Sequence, residues 1–397
     1  MLINKMLVLL IVGATLVLSA KAQQQGSEPA LSNDTPLLKI DLRKFGYEEY
    51  GPTQQRSRAL QLNTLDFVDD NRVAWAWLTV DSPRESGPFR PDPAHLHVLL
   101  VDTRTGQQQG QKEWSTLSYP VKFWGLRNGK FLTCSGGTLR LISPSLELLR
   151  EQELPANSPQ PSDGCTYLGL WDISPNRRAL LLVHRDGQAY DKKVLDTETF
   201  ALETIDHTAS AIADHWFTGT CGESLELCVS AIDPTHQPSR AISMNKEMSE
   251  KFNGAWRFNN IRFVNDDTVV ITTPEELETT NTDGSELFHV KLPKDRSFDA
   301  LTVATTGGRR FAVIENRQRG VSNERLDLYA FPANDRIVVF DISERRPVYA
   351  LKVEGRSPWS PSKVPSNSMA LSPDGSVLAL VSDGVLTLHR VSVGNSR

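Results

Sequence analysis

Ser368-Met369-Ala370-Leu371-Ser372-Pro373-Asp374-Gly375-Ser376-Val377-Leu378-Ala379-Leu380-Val381-Ser382-Asp383-Gly384-Val385-Leu386-Thr387-Leu388 reads as three short strands divided by two tight turns. In Ser372-Pro373-Asp374-Gly375 the proline presets φ at the second turn position and the aspartate bonds its own backbone. The glycine accepts a positive φ that strains residues carrying a Cβ. Asp383-Gly384 is a second hairpin signal, and the apolar stretch Val385 to Val391 follows it.

Upstream, the same figure of apolar run, polar turn and apolar run recurs at Leu65 to Trp77, Phe123 to Leu132, Trp171 to Val183, Ile261 to Ile271 and Leu301 to Ile314. The gap between the third and fourth of these holds one more unit, for which Trp216 to Val229 is the natural candidate. With the C-terminal copy the count is seven. Turns at Asp70, Asn128, Asn176, about Gly222, Asp266, Gly308 and Asp374 give a period of roughly 40 to 65 residues, near that of propeller blades at its short end.

Several copies continue into a third apolar strand that ends in an Asp-led turn, as at His97 to Gly106, Val194 to Thr197 and Arg336 to Ile342. Leu139 to Ile142 holds a similar place. Pro347 to Val353 reads as a fourth, outermost strand. Nothing of that kind follows Val393, whereas Leu37 to Leu42 is a strand without a blade of its own. The expectation is an all-β chain, a seven-bladed β-propeller whose ring is closed by this N-terminal strand, with six and eight blades as the neighbouring counts. The one stretch with helical character, Met244 to Phe252, falls between blades.

Lys5, the apolar run Met6 to Leu18 and the small-x-small triplet Ala20-Lys21-Ala22 compose an export signal, with cleavage between Ala22 and Gln23. The run is shorter than the about 20 residues of a bilayer span, and no cysteine stands at the cleavage point for a lipid anchor. The chain therefore divides into a signal peptide (1–22), a flexible polar leader (23–36) and a single propeller domain (37–397). Its expected place is secreted or periplasmic, with no stable membrane anchor after cleavage. The formal charge of −5 becomes more negative once Lys5 and Lys21 are removed, which argues against a nucleic-acid partner. Arg309-Arg310 and Arg345-Arg346 sit at expected turns and are read as facing water.

Four cysteines in an exported chain favour disulfides. Cys221 and Cys228 flank a hairpin, which leaves Cys134 with Cys165, although four cysteines admit three pairings. No close Cys-x-x-Cys pair suggests zinc.

Known catalytic patterns do not surface. The chain has no Gly-x-Ser-x-Gly elbow and no phosphate-cradling Gly-x-x-x-x-Gly-Lys loop. His95 and His97 alternate on a strand and share a face, so they are the best metal candidates, but spacing assigns them no third ligand. Asp69-Asp70 and Asp266-Asp267 occupy turn positions that favour aspartate for backbone reasons. Asn281 to Glu286 reads as a hairpin turn in preference to a calcium loop. Trp75, Trp77, Trp124, Trp171 and Trp216 lie in or beside strands, where packing between blades explains them with fewer assumptions than a sugar platform does. No catalytic, cofactor or metal residue is assigned. The proline-rich Asp81 to Ala94 and the stretch Asn316 to Asn334 are the candidate binding loops, while Pro155 to Asp163 and Ser357 to Ser366 are connecting loops.

Leu371 to Leu380, an apolar strand, Ser-Pro-Asp-Gly and another apolar strand, resembles the repeat of TolB-type and related WD-repeat-like propellers. Ile173 to Val183 keeps the Ser-Pro step, with Asn176 and Arg177 in place of Asp-Gly. The resemblance implies a propeller and a protein-binding role, and carries over no catalytic residue. The expected function is an exported, non-enzymatic module recognising a protein or peptide. The alternative is a propeller enzyme, metal-dependent and lactonase-like or carbohydrate-active, with its site at the central channel.

Overall fold

The computed structural model describes residues 35–47, 64–80, 93–117, 122–126, 129–135, 138–154, 172–186, 189–205, 209–221, 226–232, 240–241, 261–273, 275–294, 296–303, 308–317, 336–353 and 368–391. The signal and its cleavage site, most of the leader, the helical stretch, Cys165, Trp171 and almost all of both candidate binding loops lie outside them.

Seven four-stranded antiparallel sheets make up the described chain, a seven-bladed propeller. Blade 1 runs outward through Thr64–Asp69, Arg72–Val80, Pro93–Asp102 and Gln108–Leu117. The innermost strands of blades 2 to 7 are Lys122–Gly125, Asp172–Ile173, Ala211–Ile212, Ile261–Asn265, Arg296–Val303 and Met369–Leu371. In blade 7 the outermost place is held by Leu38–Asp41, antiparallel to Val385–Arg390 with Leu38 opposite Leu388 and Ile40 opposite Leu386.

A sheet with strands this short cannot bury both faces by itself, so the alternating apolar residues of each blade need the next blade. The core is accordingly divided into seven apolar clusters, one in each junction. Leu65, Trp75 and Trp77 of blade 1 meet Ile40, Val381 and Leu388 of blade 7, and Trp124 and Cys134 of blade 2 meet Leu180 and Leu195 of blade 3. Trp75 and Trp77 are each 1% exposed, with Tyr47 set edge-on against both rings at 5.6 and 6.0 Å. The packing role expected for these two tryptophans and for Trp124 holds, and Trp216 packs partly buried against the blade 4–5 cluster.

Two readings need correction. In blade 4, Trp216–Cys221 and Glu226–Ala231 are the second and third strands, not the first two. The inner turn of this blade falls at Asp214-His215, where Ala213 N donates to Trp216 O at 2.7 Å, and Gly222, expected at the turn, lies outside the described residues. Arg310 does not face water either. It is buried, its Nε 3.1 Å from Asp341 Oδ2 and its Nη1 donating to Gly375 O at 2.8 Å, because blade 7 closes over the turn that carries it. Arg345 and Arg346 are exposed.

The Asp-led turns form one repeated device. Asp102, Asp196 and Asp341 each accept, at Oδ1, the amides two and three residues on, which fixes the hairpin to the outer strand. All three carboxyls are held below the ordinary range. For Asp102 the main cause is the Thr105 amide. For Asp196 and Asp341 burial pushes upward and is overcome by hydrogen bonds from Thr199, and from Ser343 and Arg310. A lowered folded value means stability present above the unfolded pKa of about 4 and lost as pH falls through the folded one. Thermal unfolding should therefore show a gap between wild type and Asp341→Asn that is full near pH 6 and closes below about pH 4. A gap independent of pH would count against this assignment.

Candidate functional site

An innermost strand has a neighbour on one edge only, so the amides on its other edge need a partner from elsewhere. Asp66 of blade 1 meets this need across a junction, with Oδ2 accepting Gly125 N of blade 2 at 2.9 Å and Oδ1 accepting Phe67 N at 2.9 Å. The guanidinium of Arg177, from the inner turn of blade 3, then closes on both carboxylate oxygens, Nη1 to Oδ2 at 2.9 Å and Nη2 to Oδ1 at 3.2 Å. The arrangement is repeated two blades on. Asp172 Oδ2 of blade 3 accepts Ile212 N of blade 4 at 3.2 Å, and Arg262 Nε of blade 5 lies 3.3 Å from Asp172 Oδ1. Asp66, Asp172 and Arg262 hold the same place in their strands, each just before the last regular pair with the second strand.

Burial pushes both carboxyls up, and the facing arginines with the donated amides pull back without restoring the ordinary value. Arg177 stands where the C-terminal repeat has its turn glycine. Its φ is 64°, against 70° at Gly375, a left-handed conformation costing on the order of 1 kcal/mol for a residue with a Cβ. The departure of this repeat from Asp-Gly thus sends a cation to Asp66. At the start of the blade 2 inner strand, half-buried Lys122 has its pKa lowered by burial first and by Arg262 second.

Neighbouring inner turns are also tied. Asp266 Oδ1 of blade 5 accepts Asp214 N of blade 4 at 2.8 Å, and its Oδ2 lies 3.1 Å from His215 Nδ1. Asn265 Nδ2 donates to Gly308 O of blade 6 at 2.9 Å. Between blades 3 and 4, on this same face, opens a cavity of about 210 Å³ lined by residues that include Val194, Ile232, Arg178, Asp196, Glu203 and Asp214.

His95 and His97 do share a face, and both reach Glu113 of the outer strand, at 2.8 Å to Oε1 and 3.5 Å to Oε2. His97 also stacks on Trp77 at 5.0 Å and meets Thr79 Oγ1 at 2.7 Å, and burial lowers its pKa. Among the described residues no group of three or more His, Cys, Asp or Glu side chains is disposed to hold a metal ion. Asn281 to Glu286 forms a hairpin turn, Asn281 N donating to Ser285 O at 2.9 Å. Cys134 and Cys228 are buried in blades 2 and 4, and no cysteine among the described residues is a free thiol. Cys221 stands opposite Glu226, and Cys228 opposite Gly219, in one hairpin of blade 4.

Neither a family model nor a curated relative matches the chain. Solved structures do. It resembles the WD40 domain of Neurospora crassa Pan2. That likeness covers 89% of this chain and 94% of the other at 10% identity, with a TM-score of 0.50. BamB from Moraxella catarrhalis matches over 90% of this chain and 99% of its own at 15% identity and a TM-score of 0.41. TolB from Acinetobacter baumannii matches over 80% of both chains at 12% identity and 0.37. At these identities the likeness is one of fold.

Proposed function

We propose that this chain is an exported, non-enzymatic propeller that binds a protein or peptide partner. The observation that carries the reading is the use made of the inner ring. The buried carboxylates of Asp66 and Asp172 are each engaged by a guanidinium and by a backbone amide of the neighbouring blade, so these groups serve to hold blades together. What the scaffold offers outward is turns and loops, the usual place of recognition surfaces. The export signal at residues 1–22 and the lack of free thiols at Cys134 and Cys228 support an oxidising compartment. Blade 3 separates those two cysteines, which favours the pairs Cys134–Cys165 and Cys221–Cys228.

One experiment on protein from the native host tests the reading. Crosslinking in the extracytoplasmic fraction should recover a protein partner together with a mature chain that begins at Gln23 and carries both cysteine pairs. Replacing 81–92 and 318–334, which leaves the strands on either side intact, by short Gly-Ser turns should abolish capture and leave the thermal midpoint in place. Recovery of a full-length, reduced chain from the cytoplasm overturns export. Turnover of a lactone or glycoside by purified protein that captures nothing overturns the binding reading.

A further inference from the structure

The inner strand of blade 2 differs from its neighbours in the charge it brings to the ring. Trp124 holds the place that Asp66, Asp172 and Arg262 take in blades 1, 3 and 5. Lys122 stands two residues earlier on the same face, about 7 Å along the strand. Trp124 shares an apolar cluster with Leu180 and Leu195 of blade 3, so Lys122 is turned toward blade 3 as well. Arg262 reaches blade 3 from the other side, its Nε 3.3 Å from Asp172 Oδ1 and its Nη1 donating to Ile261 O at 3.0 Å. Two cations thus converge on the inner end of one blade, and neither is shut off from solvent. Lys122 is half-buried and the Arg262 side chain is 28% exposed. Among the described residues Lys122 Nζ has no hydrogen bond or ion pair, and Arg262 Nη2 has no hydrogen bond.

A half-buried ammonium whose charged neighbour is a second cation lacks a counter-charge, since desolvated charges are normally paired. The linked groups around blade 3 count three cations, Lys122, Arg177 and Arg262, against two carboxylates, Asp66 and Asp172. One positive charge is left over. A carboxylate matches this excess, because it adds a single negative charge and its two oxygens can accept from both cations at once. We propose that the inner ring beside blade 3 binds a carboxylate between Lys122 Nζ and Arg262 Nη2. Its source is a small organic acid, or an acidic side chain or C-terminus of a partner. The recognition chemistry is the same for both, and the site stands independently of the binding reading given above.

The test titrates the full mature chain with sodium acetate at constant ionic strength and follows the Lys122 Cε and Trp124 indole N–H resonances, with acetamide as the neutral counterpart. Saturable shifts are expected with acetate, and binding about tenfold weaker with acetamide, since a charge-assisted hydrogen bond is roughly twice as strong as a neutral one. Lys122→Met should weaken acetate about tenfold without lowering the thermal midpoint, because the charge it removes has no partner, and Lys122→Arg should retain binding. No saturation up to roughly 50 mM, where even millimolar affinity would be evident, overturns the site. Equal response to acetamide, or acetate binding unchanged in Lys122→Met, overturns it too. Inorganic phosphate that saturates before acetate overturns the choice of carboxylate. Crosslinked capture then separates the sources. A tenfold fall in capture by Lys122→Met assigns the carboxylate to the partner. Undiminished capture, with acetate saturating the wild type, assigns it to a free acid. Acetate binding without any captured partner sustains the site and overturns the module.

Discussion

Gly125→Ala is expected to lower the unfolding free energy by roughly 3–5 kcal/mol, the sum of an overpacked junction and a buried hydrogen bond lost. A Cβ at Gly125 would stand 1.8 Å from Phe67 O and 2.6 Å from Phe67 C, both backbone atoms of blade 1. No rotamer change relieves such a contact, so the two innermost strands must part, and parting withdraws the Gly125 amide from Asp66. Gly110→Ala is the natural control. There the nearest atom, at 3.0 Å, is the end of the flexible Leu146 side chain, and a loss under about 1 kcal/mol is expected. Urea unfolding of the two variants checks the pair, and Gly125→Ala unfolding within 1 kcal/mol of wild type would sink the account of the inner junction.

Asp66→Ala should cost about 3–5 kcal/mol, because it strands the buried Arg177 guanidinium and orphans the Gly125 amide together. Asp66→Leu combined with Arg177→Met should recover much of that loss, since an apolar pair of similar volume carries no uncompensated charge. A double-mutant cycle by urea unfolding measures the coupling. If the double variant is as unstable as the sum of the singles, Asp66 and Arg177 do not act as a pair.

How much of this was legible in the chain depended on how locally each feature is written. The C-terminal repeat declares its strands because Ser372 to Gly375 carries turn chemistry within four residues, and Asp102, Asp196 and Asp341 announce their hairpins the same way. Blade 4 reads out of frame in the sequence because its innermost strand is only Ala211–Ile212. Two residues have no periodicity, so the longer apolar run from Trp216 took the first place. Arg310 looked solvated beside Arg309 because burial by another blade leaves no local mark. The Asp66–Arg177 pair spans 111 residues, and its only trace was a repeat in which arginine replaced glycine. The cavity joins residues from Arg178 to Ile232 across two blades, and sequence spacing alone gives no route to such a set.

Leu38 finds its partner at Leu388, almost the whole chain away. Blades 1 to 6 are each made of consecutive strands and can form as the polypeptide lengthens, but the seventh waits for both ends. The pairing of Leu38–Asp41 with Val385–Arg390 is thus a contact of very high sequence separation, and it is expected to form after the local hairpins. Truncation before Val385 would remove the strand that this segment seeks, and an otherwise well-built molecule would keep a sticky, unfinished margin.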